Sequence, residues 1–481
     1  MLRDPDATKA APSYPSPAAA RANKPGDGLA HQLEQTLHAR VKPGSHLCVG
    51  LSGGIDSAVL LDMLVRVAPR HGLRLSAIHV NHQLSPHAAE WARFCRTLCR
   101  ERCVPLRVVK VDVPQGDSTE AAARAARYAA YRKHPASYLV LAQHQDDQAE
   151  TVLLQLLRGA GVKGLAAMPL VREDAIRPGL KLLRPMLSVT RREIEHYAVR
   201  RGLRWVDDES NDDTYYLRNF LRKEIMPRLE TRAPAYRVTL TRAAGQLAEA
   251  AQLLDELAML DGEGALRADT LAVSALDRLP AARARNLLRY FLASRGVRMP
   301  DARRLDEALR QALTAKSDAR VCVSLGDHEL RRHRSVLHVV PMQPAANATF
   351  SKAWRQERRV LIAECDGVLE MRRGRGAGID LEKLLAHPVT LRTRRGGEKL
   401  QPDAARPRRA VKDLLQAHGV PPWQRDRVPF LWSGEQLVWV AGIGVDCAFH
   451  ARAGAPSVIP KWVEPLNAGA GNASSERVTK P

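Results

Sequence analysis

The stretch LCVGLSGGIDSAVLL, residues 47–61, joins two apolar runs through a short polar turn. The first run, residues 47–51, has the length of a buried strand, and the second, residues 58–64, has the spacing of a helix. Between them, Ser52-Gly53-Gly54-Ile55-Asp56-Ser57 carries two adjacent glycines, which let a chain turn where a Cβ would clash. The stretch therefore predicts a strand, a glycine turn and a helix.

The polar turn has the features of a phosphate-binding loop. Glycine N–H groups can approach an anion closely, and the helix that follows presents its positive N-terminal end to the same place. The hydroxyls of Ser52 and Ser57 add two donors. A Walker A loop is excluded because it needs a lysine that this turn lacks. An ordinary glycine turn without a ligand is the alternative.

Length and hydropathy indicate a multidomain protein without membrane spans. The chain has 481 residues, 45% of them hydrophobic, which is enough for about three domains. No apolar run approaches the ~18 residues of a membrane helix, so we expect a soluble protein. We divide the chain into six segments: a disordered leader (1–28), the domain of the phosphate loop (29–230), a mainly helical domain (231–341), a linker (342–348), a C-terminal domain (349–466) and a disordered tail (467–481).

The charge balance indicates a polyanionic partner. Lys and Arg number 74 against 52 Asp and Glu, a formal charge of +22, and the excess is spread along the chain. Each phosphate that a basic side chain neutralises releases counterions and favours binding. The alternative is an arginine-rich proteome in which this charge has no nucleic-acid role.

The seven cysteines include no CxxC pair. Cys95, Cys99 and Cys103 stand four residues apart, so on a helix they form one stripe. A metal or cluster site is one interpretation of the stripe, and a buried helix face is the other, since cysteine packs as a small hydrophobic residue. The odd number and the missing pairs favour a reducing, cytoplasmic location.

Four β-rich runs alternate with helical patterns in the first half of the chain. Such alternation builds βαβ units, so the predicted fold class is α/β, with a parallel sheet covered on both faces. Ligands of these sheets bind at the carboxyl ends of the strands, where the polar motifs fall. The runs cover residues 47–51, 74–82, 106–113 and 138–143, and the helical patterns cover 86–103, 118–132 and the residues from 190.

Further polar side chains accompany these elements. His79 and His82 end the second run, where an adenine or ribose would lie if the first turn holds phosphates; two surface histidines are the alternative. Arg124 and Arg127 share one face of the next helix, where they either clamp a phosphate or face solvent.

A second polar motif, QHQDDQAET at residues 143–151, opens a helix after the fourth strand. Asp146 and Asp147 at a helix start also suit simple N-capping. With His144 beside them, a carboxylate can hold Mg²⁺ on nucleotide phosphates while the imidazole positions a substrate group or moves a proton.

Six motifs carry a family resemblance: SGGIDS, HVNHQL, EAAARAARY, QHQDDQAET, LLRGAGVKGL and SNDDTYYLRNFLR. The first resembles the pyrophosphate loop of the N-type ATP pyrophosphatases, whose domain is adenine nucleotide α-hydrolase-like. The set resembles the tRNA(Ile)-lysidine synthase family, strongly over residues 47–229 and more weakly beyond. The resemblance implies a parallel-sheet ATP-pyrophosphatase domain, then a mainly helical domain and a small α+β C-terminal domain.

The resemblance also implies a reaction. ATP with Mg²⁺ adenylates the wobble cytidine of the isoleucine tRNA with a CAU anticodon, and the amine of free L-lysine then displaces AMP at C2. The product, lysidine, changes the codon read from AUG to AUA. We also expect no membrane partner, and the sequence leaves both a monomer and a homodimer open.

Individual roles follow from the resemblance, residue by residue. It implies nucleotide binding by Ser52, Gly53, Gly54, Ile55, Asp56, Ser57 and His79; catalysis by Asp56, Arg124, His144, Asp147 and Arg218; and Mg²⁺ binding by Asp56 and Asp147. The chain departs from the family at Gln143, where members often carry a histidine. Glutamine carries no titratable proton, so any proton transfer there falls to His144.

The second half of the chain offers basic residues for tRNA. Arg331, Arg332 and Arg334 lie between two predicted strands, where they either meet phosphates or form a solvated turn. Alternate arginines of residues 391–400 would project to one face of a strand. Trp423 either stacks on a terminal base or belongs to a local core.

Two other functions stay open at this point. An ATP-dependent tRNA thiolase of the same superfamily would need reactive or cluster-binding cysteines, and the Cys95 stripe is the candidate. A non-catalytic tRNA-binding protein would not need the intact Ser52, Asp56 and Asp147.

Overall fold

The computed structural model describes residues 2–3, 25–113, 119–207, 217–267, 269–315, 321–342 and 350–463. The chain forms two compact units, Met1–Glu256 and Leu257–Pro481. No helix in these ranges combines the length and the apolar character needed to cross a membrane. The six-segment division stays a prediction.

The first unit alternates strands and helices. In chain order its elements are β1 (Leu2–Arg3), α1 (Pro25–Arg40), β2 (His46–Gly50), α2 (Ile55–Val67), β3 (Arg74–Asn81), α3 (Ala88–Glu101), β4 (Leu106–Lys110), α4 (Thr119–Arg132), β5 (Tyr138–Val140), α5 (Gln145–Leu157), α6 (Val162–Leu165), β6 (Val171–Glu173), β7 (Lys181–Leu183), α7 (Arg191–Arg200), β8 (Trp205–Val206), α8 (Leu217–Phe220), α9 (Met226–Arg232) and α10 (Tyr236–Asp261), which runs into the second unit. A 3₁₀ turn, Ala68–His71, follows α2, and a π-helical turn, Leu221–Ile225, joins α8 to α9.

A six-stranded sheet organises this unit, with the order β4-β3-β2-β5-β7-β6. The pairs from β4 to β7 are parallel, and β6 is antiparallel to β7 at the edge. Strand β2 is central because Leu47 lies between Leu75 of β3 and Tyr138 of β5. The predicted parallel α/β sheet is confirmed. Strands β6 and β7 were not predicted because each is short and includes charged residues, Val-Arg-Glu and Lys-Leu-Leu, whereas the equally short β5, Tyr-Leu-Val, is wholly apolar.

Both faces of the sheet are covered, as predicted. One core joins the sheet to α1, α2, α3 and α7, and includes Leu33, Leu60, Cys95 and Ile194. A smaller core on Cys48, Ile78 and Leu139 includes Tyr131 of α4. Since residues of one strand alternate between faces, Val49 belongs to the first core and Cys48 to the second.

Two stretches of the predicted leader lie within the described residues. Helix α1 begins at Pro25, and Leu2–Arg3 pairs with Trp205–Val206. Residues 4–24 lie outside the described residues, as do residues 343–348 of the linker, residue 349 and the predicted tail.

The second unit begins with a helical part that packs on a small sheet. Its elements are β9 (Thr270–Ala272), α11 (Val273–Asp277), α12 (Ala281–Ser294), α13 (Ala302–Thr314), β10 (Cys322–Leu325), β11 (His328–His333) and β12 (Val336–Pro341). The four strands form an antiparallel sheet in the order β10-β11-β12-β9. Buried Leu276, Leu288 and Phe291 join the helices to this sheet. The expectation that Arg331 and Arg332 lie between two strands is wrong, since both lie in β11.

The C-terminal part is mainly β-structure with short helices. Its elements are β13 (Ser351–Ala353), β14 (Arg359–Ile362), β15 (Gly367–Arg375), β16 (Ile379–Asp380), α14 (Leu381–Leu385), β17 (Val389–Arg392), β18 (Lys399–Leu400), β19 (Arg409–Ala410), α15 (Val411–Ala417), α16 (Pro422–Arg425), β20 (Phe430–Ser433), β21 (Gln436–Val440), β22 (Gly444–Val445) and β23 (Pro456–Val463), with 3₁₀ turns at Ala363–Cys365 and Cys447–Phe449. Two sheets, β13-β17-β20-β21-β22 and β14-β15-β23-β16, share one core. The predicted row of alternate arginines is wrong beyond Arg392, where β17 ends.

Candidate active site

The predicted phosphate loop closes on the hydroxyl of Ser57. Its Oγ accepts from the amides of Ser52 and Gly53, each at 3.2 Å, and donates to the carbonyl of Gly54 at 2.9 Å. Gly53 has φ +97°, a conformation that L side chains rarely adopt. The loop therefore takes its shape from hydrogen bonds between residues at most five positions apart.

The loop also packs closely against its surroundings. A Cβ on Gly53 would lie 3.3 Å from Cys95 Sγ, and the Gly53 carbonyl accepts from the amide of Val206 at 3.0 Å. Ile55 is buried in the core beneath the turn. The predicted strand, glycine turn and helix are confirmed. The contacts of Gly53 with Cys95 and Val206 hold the turn in its conformation.

Asp56, in the first turn of α2, pairs with an arginine that the sequence analysis missed. Arg191 Nη1 donates to both carboxylate oxygens, at 2.8 and 3.0 Å. Burial raises the pKa of Asp56, against the opposing effects of Arg191 and His144. A signal for Arg191 did exist: Thr190 and Glu193 form a capping box that starts α7 at this residue.

His144 lies between two of the predicted acidic residues. Its Nε2 is 3.7 Å from Asp56 Oδ1 and 3.5 Å from Asp147 Oδ2, and its amide donates to Asp147 at 3.0 Å. Burial disfavours the charged ring, but Asp146, Asp147 and Asp56 outweigh it and raise the pKa of His144. The structure thus brings together the phosphate loop and the QHQDDQAET motif.

Asp146 joins the starts of two helices to this site. Its Oδ2 accepts from the amide of Arg191 at 3.1 Å, and its Oδ1 accepts from Arg237 Nε of α10. Although burial opposes the charged form, the nearby His144 ring, whose Nδ1 lies 3.6 Å from Oδ2, and hydrogen bonds from Arg191 and Arg237 hold the pKa of Asp146 well below its usual range. Asp146 therefore has two roles. It lies in the first turn of α5, and as an anion it binds the first turns of α7 and α10.

Arg218 is joined to the site by the carboxylate of Glu150, a residue that was not predicted from the sequence. Its Nε donates to Glu150, which is 0% exposed, and Arg222 Nε donates to the same carboxylate at 3.0 Å. Arg222 Nη2 also donates to Asp147 at 3.1 Å. Glu150 stands one helical turn after Asp147, so its spacing could have revealed it.

The remaining predicted residues lie around this cluster. His79 is buried, its Nδ1–H donates to the carbonyl of Leu51 at 2.9 Å, and burial lowers its pKa. The alternative of two surface histidines is therefore wrong for His79. Arg127 Nε donates to His82 at 3.2 Å, and the Arg124 guanidinium lies 5.1 Å from the ring centroid of Tyr128.

Gln143, the departure from the family pattern, has a cationic neighbour. Its Oε1 accepts from Arg184 Nε at 3.1 Å, and Arg184 is 2% exposed. Arg184 Nη1 also donates to the carbonyl of Pro169 at 3.0 Å. Gln143 therefore serves as a neutral acceptor for a buried guanidinium, a task that needs no titratable proton.

The cysteine stripe is a packing feature. Cys95 and Cys99 are buried in the core of the first unit, and burial raises the pKa of Cys95 to about 12 and that of Cys99 to about 11. Cys103 follows α3 and is exposed. Thiols that stay protonated at neutral pH are poor nucleophiles and metal ligands, so the buried-face interpretation is the better one.

The donor set suits a nucleotide-bound Mg²⁺. Among the described residues, no group of three or more His, Cys, Asp or Glu side chains is arranged to hold a metal ion by itself. Mg²⁺ on a nucleotide needs fewer protein ligands, because phosphates and water supply the rest. Asp56 and Asp147 offer hard oxygen ligands that both approach His144 Nε2. These two carboxylates therefore fit the ion.

Arg331 and Arg332 of the second unit have partners within that unit. Arg332 Nη1 donates to the carbonyls of Ala312 and Ala315, each at 2.8 Å, at the end of α13. The Arg331 guanidinium lies 5.3 Å from the ring centroid of Trp423, which His338 approaches edge-on at 5.4 Å. Trp423 is half-buried among these polar and aromatic neighbours, so the base-stacking and local-core interpretations both stay predictions.

Three family models match the chain. The PP-loop domain matches residues 27–229, the TilS substrate-binding domain residues 271–338, and the TilS substrate C-terminal domain residues 389–462. The sheet is parallel, and the glycine loop follows the carboxyl end of its central strand β2. Together with these features, the first match defines a PP-loop protein that uses ATP.

Two curated relatives identify the family of the chain. The tRNA(Ile)-lysidine synthase of Nitrosomonas europaea is 46% identical over 431 residues, which are 89% of this chain and 93% of the relative. That of Azoarcus sp. is 40% identical over 449 residues, 90% of this chain and 96% of the relative. The chain belongs to the tRNA(Ile)-lysidine synthase family.

A thiolase is a much more distant neighbour. The U34-tRNA thiolase of Methanococcus maripaludis matches 46% of this chain and 79% of its own, with 18% identity and a TM-score of 0.39. So weak a likeness carries no argument about activity.

Proposed function

We propose that this chain converts the wobble cytidine of the CAU-anticodon isoleucine tRNA to lysidine, using ATP and free L-lysine. In the first step the C2 oxygen of the base attacks the α-phosphorus of ATP, and pyrophosphate leaves. In the second, the ε-amine of lysine attacks C2, and AMP leaves. Family membership over 89% of the chain supports this reaction.

The observation that carries the proposal is the meeting of two motifs at His144 Nε2. Asp56 of the phosphate loop and Asp147 of the second motif approach that atom at 3.7 and 3.5 Å. Since phosphoryl transfer is catalysed mainly by positioning and charge neutralisation, a loop, two carboxylates and nearby arginines form a suitable set.

Each predicted residue takes a part in this scheme. The β,γ-phosphates bind to the backbone of residues 52–57 and to the hydroxyls of Ser52 and Ser57. His79 binds the carbonyl of Leu51 and so positions the end of β2, next to which the nucleoside binds. Asp56 and Asp147 would hold Mg²⁺, which would neutralise phosphate charge. His144 orients the base or moves a proton. Arg124 and Arg218 supply positive charge to the reacting phosphate and the tRNA.

Partners and location complete the proposal. The charge of +22 suits a tRNA, and the excess of basic residues is spread along the chain. All seven cysteines are free, which is compatible with the cytoplasm that we propose as its location. Both a monomer and a homodimer stay open.

The experiment uses the full chain with ATP, Mg²⁺, radiolabelled lysine and the CAU isoleucine tRNA transcript. We expect label in the tRNA only when ATP is present. The matched control is the same transcript with uridine at the wobble position, which should take up no label. If ATP is consumed and tRNA is bound but no lysine is transferred, lysine is the wrong nucleophile, and sulfur donors are tested next.

The same assay tests a non-catalytic tRNA-binding protein. Such a protein would bind the transcript and release no AMP. The paired carboxylates around His144 argue against it, because keeping Glu150 at 0% exposure is costly unless the site uses it.

A further inference from the structure

Arg191 is hydrogen-bonded to the carboxylate of Asp56, which the proposed metal site requires as a ligand. One of its nitrogens, Nη1, contacts both oxygens of Asp56, at 2.8 and 3.0 Å. A divalent cation on either oxygen would lie next to the guanidinium, and two positive groups at that separation repel each other. Mg²⁺ and Arg191 therefore compete for Asp56.

The charges of the cluster are balanced without a metal ion. Each acidic side chain already has an arginine partner: Asp56 with Arg191, Asp146 with Arg237, Asp147 with Arg222, and Glu150 with Arg218. Addition of Mg²⁺ alone would leave an excess of positive charge in a partly buried place. A phosphate chain that arrives with the metal removes this excess.

The side chain of Arg191 can move while its helix stays fixed. Tyr197 of α7 donates to Asp62 of α2 at 2.9 Å, and Arg201 donates to the same oxygen at 3.2 Å, so α7 is tied to the helix of the phosphate loop. The Arg191 side chain is 40% exposed, and Glu195 holds its Nε at 2.9 Å. A rotation about the outer bonds would therefore be enough to release Asp56.

We propose that Arg191 is a displaceable counter-ion of Asp56: when Mg²⁺ and ATP enter, the metal takes Asp56 and the guanidinium transfers to the β,γ-phosphates. This inference rests on the proposed function of the loop. Arg191 starts α7 beside Asp56, which itself lies in the loop, so its guanidinium is within a side chain's reach of any phosphate held there. In the nucleotide-free protein it pairs with the Asp56 carboxylate, which is 30% exposed, so that no uncompensated charge remains in a partly buried place.

The test measures binding, so it does not depend on turnover. Arg191→Met removes the charge and keeps the aliphatic stem, and Arg191→Lys keeps a charge without the planar fork. Arg192→Met, at the exposed next position, is the matched control. For each protein, Mn²⁺ binding without nucleotide is followed by electron paramagnetic resonance, and Mg²⁺-pyrophosphate binding by calorimetry. Thermal unfolding shows whether each variant is folded.

Arg191→Met should bind Mn²⁺ about tenfold more tightly than the wild type, because Asp56 is released, and Mg²⁺-pyrophosphate about tenfold more weakly, because a charged hydrogen bond is lost. Arg191→Lys should fall between the two, and Arg192→Met should match the wild type. A folded Arg191→Met with unchanged Mn²⁺ affinity would overturn the counter-ion role, and unchanged pyrophosphate affinity would overturn the transfer. If the wild type itself bound no pyrophosphate, the proposed function would fail as well.

Discussion

The phosphate loop and the acidic cluster beside it are built in opposite ways. In the loop, Ser57 binds the backbone of Ser52 and Gly53, so the shape is decided by residues four or five positions apart. In the cluster, partners are far apart in sequence: 72 positions separate Arg222 from Glu150, 91 separate Arg237 from Asp146, and 135 separate Arg191 from Asp56. A contiguous motif can be recognised from sequence, whereas the charge balance of a cluster exists only after folding.

The largest expected effect is at Asp56, which belongs to both regions. Asp56→Ala should lower tRNA-dependent AMP release by at least about a hundredfold, since it removes a metal ligand and the partner of Arg191. Affinity for tRNA, measured by filter binding, should be largely kept because the basic surface is untouched. Asp413→Ala, at an exposed position of α15, is the control. An equal loss of AMP release and of tRNA affinity would show that Asp56 has a structural role instead.

Next comes Glu150, which tests whether the cluster depends on charge balance. Glu150→Gln keeps the shape but leaves Arg218 and Arg222 without their shared anion, and breaking a buried ion pair costs about 3 kcal/mol of unfolding free energy. Urea denaturation of the full chain should show this loss in the transition of the first unit. Glu249→Gln, exposed on α10, should have no such effect. A variant as stable as the wild type would mean that the arginines find other partners.

Two neighbouring glycines test the local character of the loop. Gly53→Ala places a Cβ at φ +97° and 3.3 Å from Cys95 Sγ, so we expect a loss of about 1–2 kcal/mol in stability and weaker pyrophosphate binding. Gly54→Ala is the matched control, because its φ of −69° is ordinary and its Cβ would meet nothing closer than 3.6 Å. Thermal unfolding and pyrophosphate calorimetry compare the pair, and equal effects would show that positive φ is not the decisive constraint.

The smallest effect is expected at the cysteines. With a pKa of about 12 for Cys95 and about 11 for Cys99, both thiols are protonated at pH 8, so iodoacetamide should label exposed Cys103 and leave these two unlabelled until urea is added. Replacing all three residues with Ala should keep lysine transfer to tRNA. Loss of transfer in a folded triple variant would restore the thiolase interpretation.

Much of the first unit could be predicted from the sequence, because its strands and helices are long enough to show their periods. The glycine turn, the parallel order and the place of His144 and Asp147 at the sheet edge are confirmed. Strand β11 was missed because its sequence, HELRRH, is polar and is recognised as a strand only through its pairs with β10 and β12. The start of α1 at Pro25 was missed because the sequence before it is rich in Ala and Pro.

By itself, the sequence determined the class of fold, the phosphate loop and the family, since each depends on residues that lie together in the chain. Only the tertiary structure decided which arginine faces which carboxylate. A capping box marks Arg191 as the start of α7, but nothing in the local sequence of Arg191, Arg222 or Arg237 shows which carboxylate each one faces. Their roles follow from the distance dependence of charge interactions, because a guanidinium neutralises the carboxylate that folding places within about 3 Å of it.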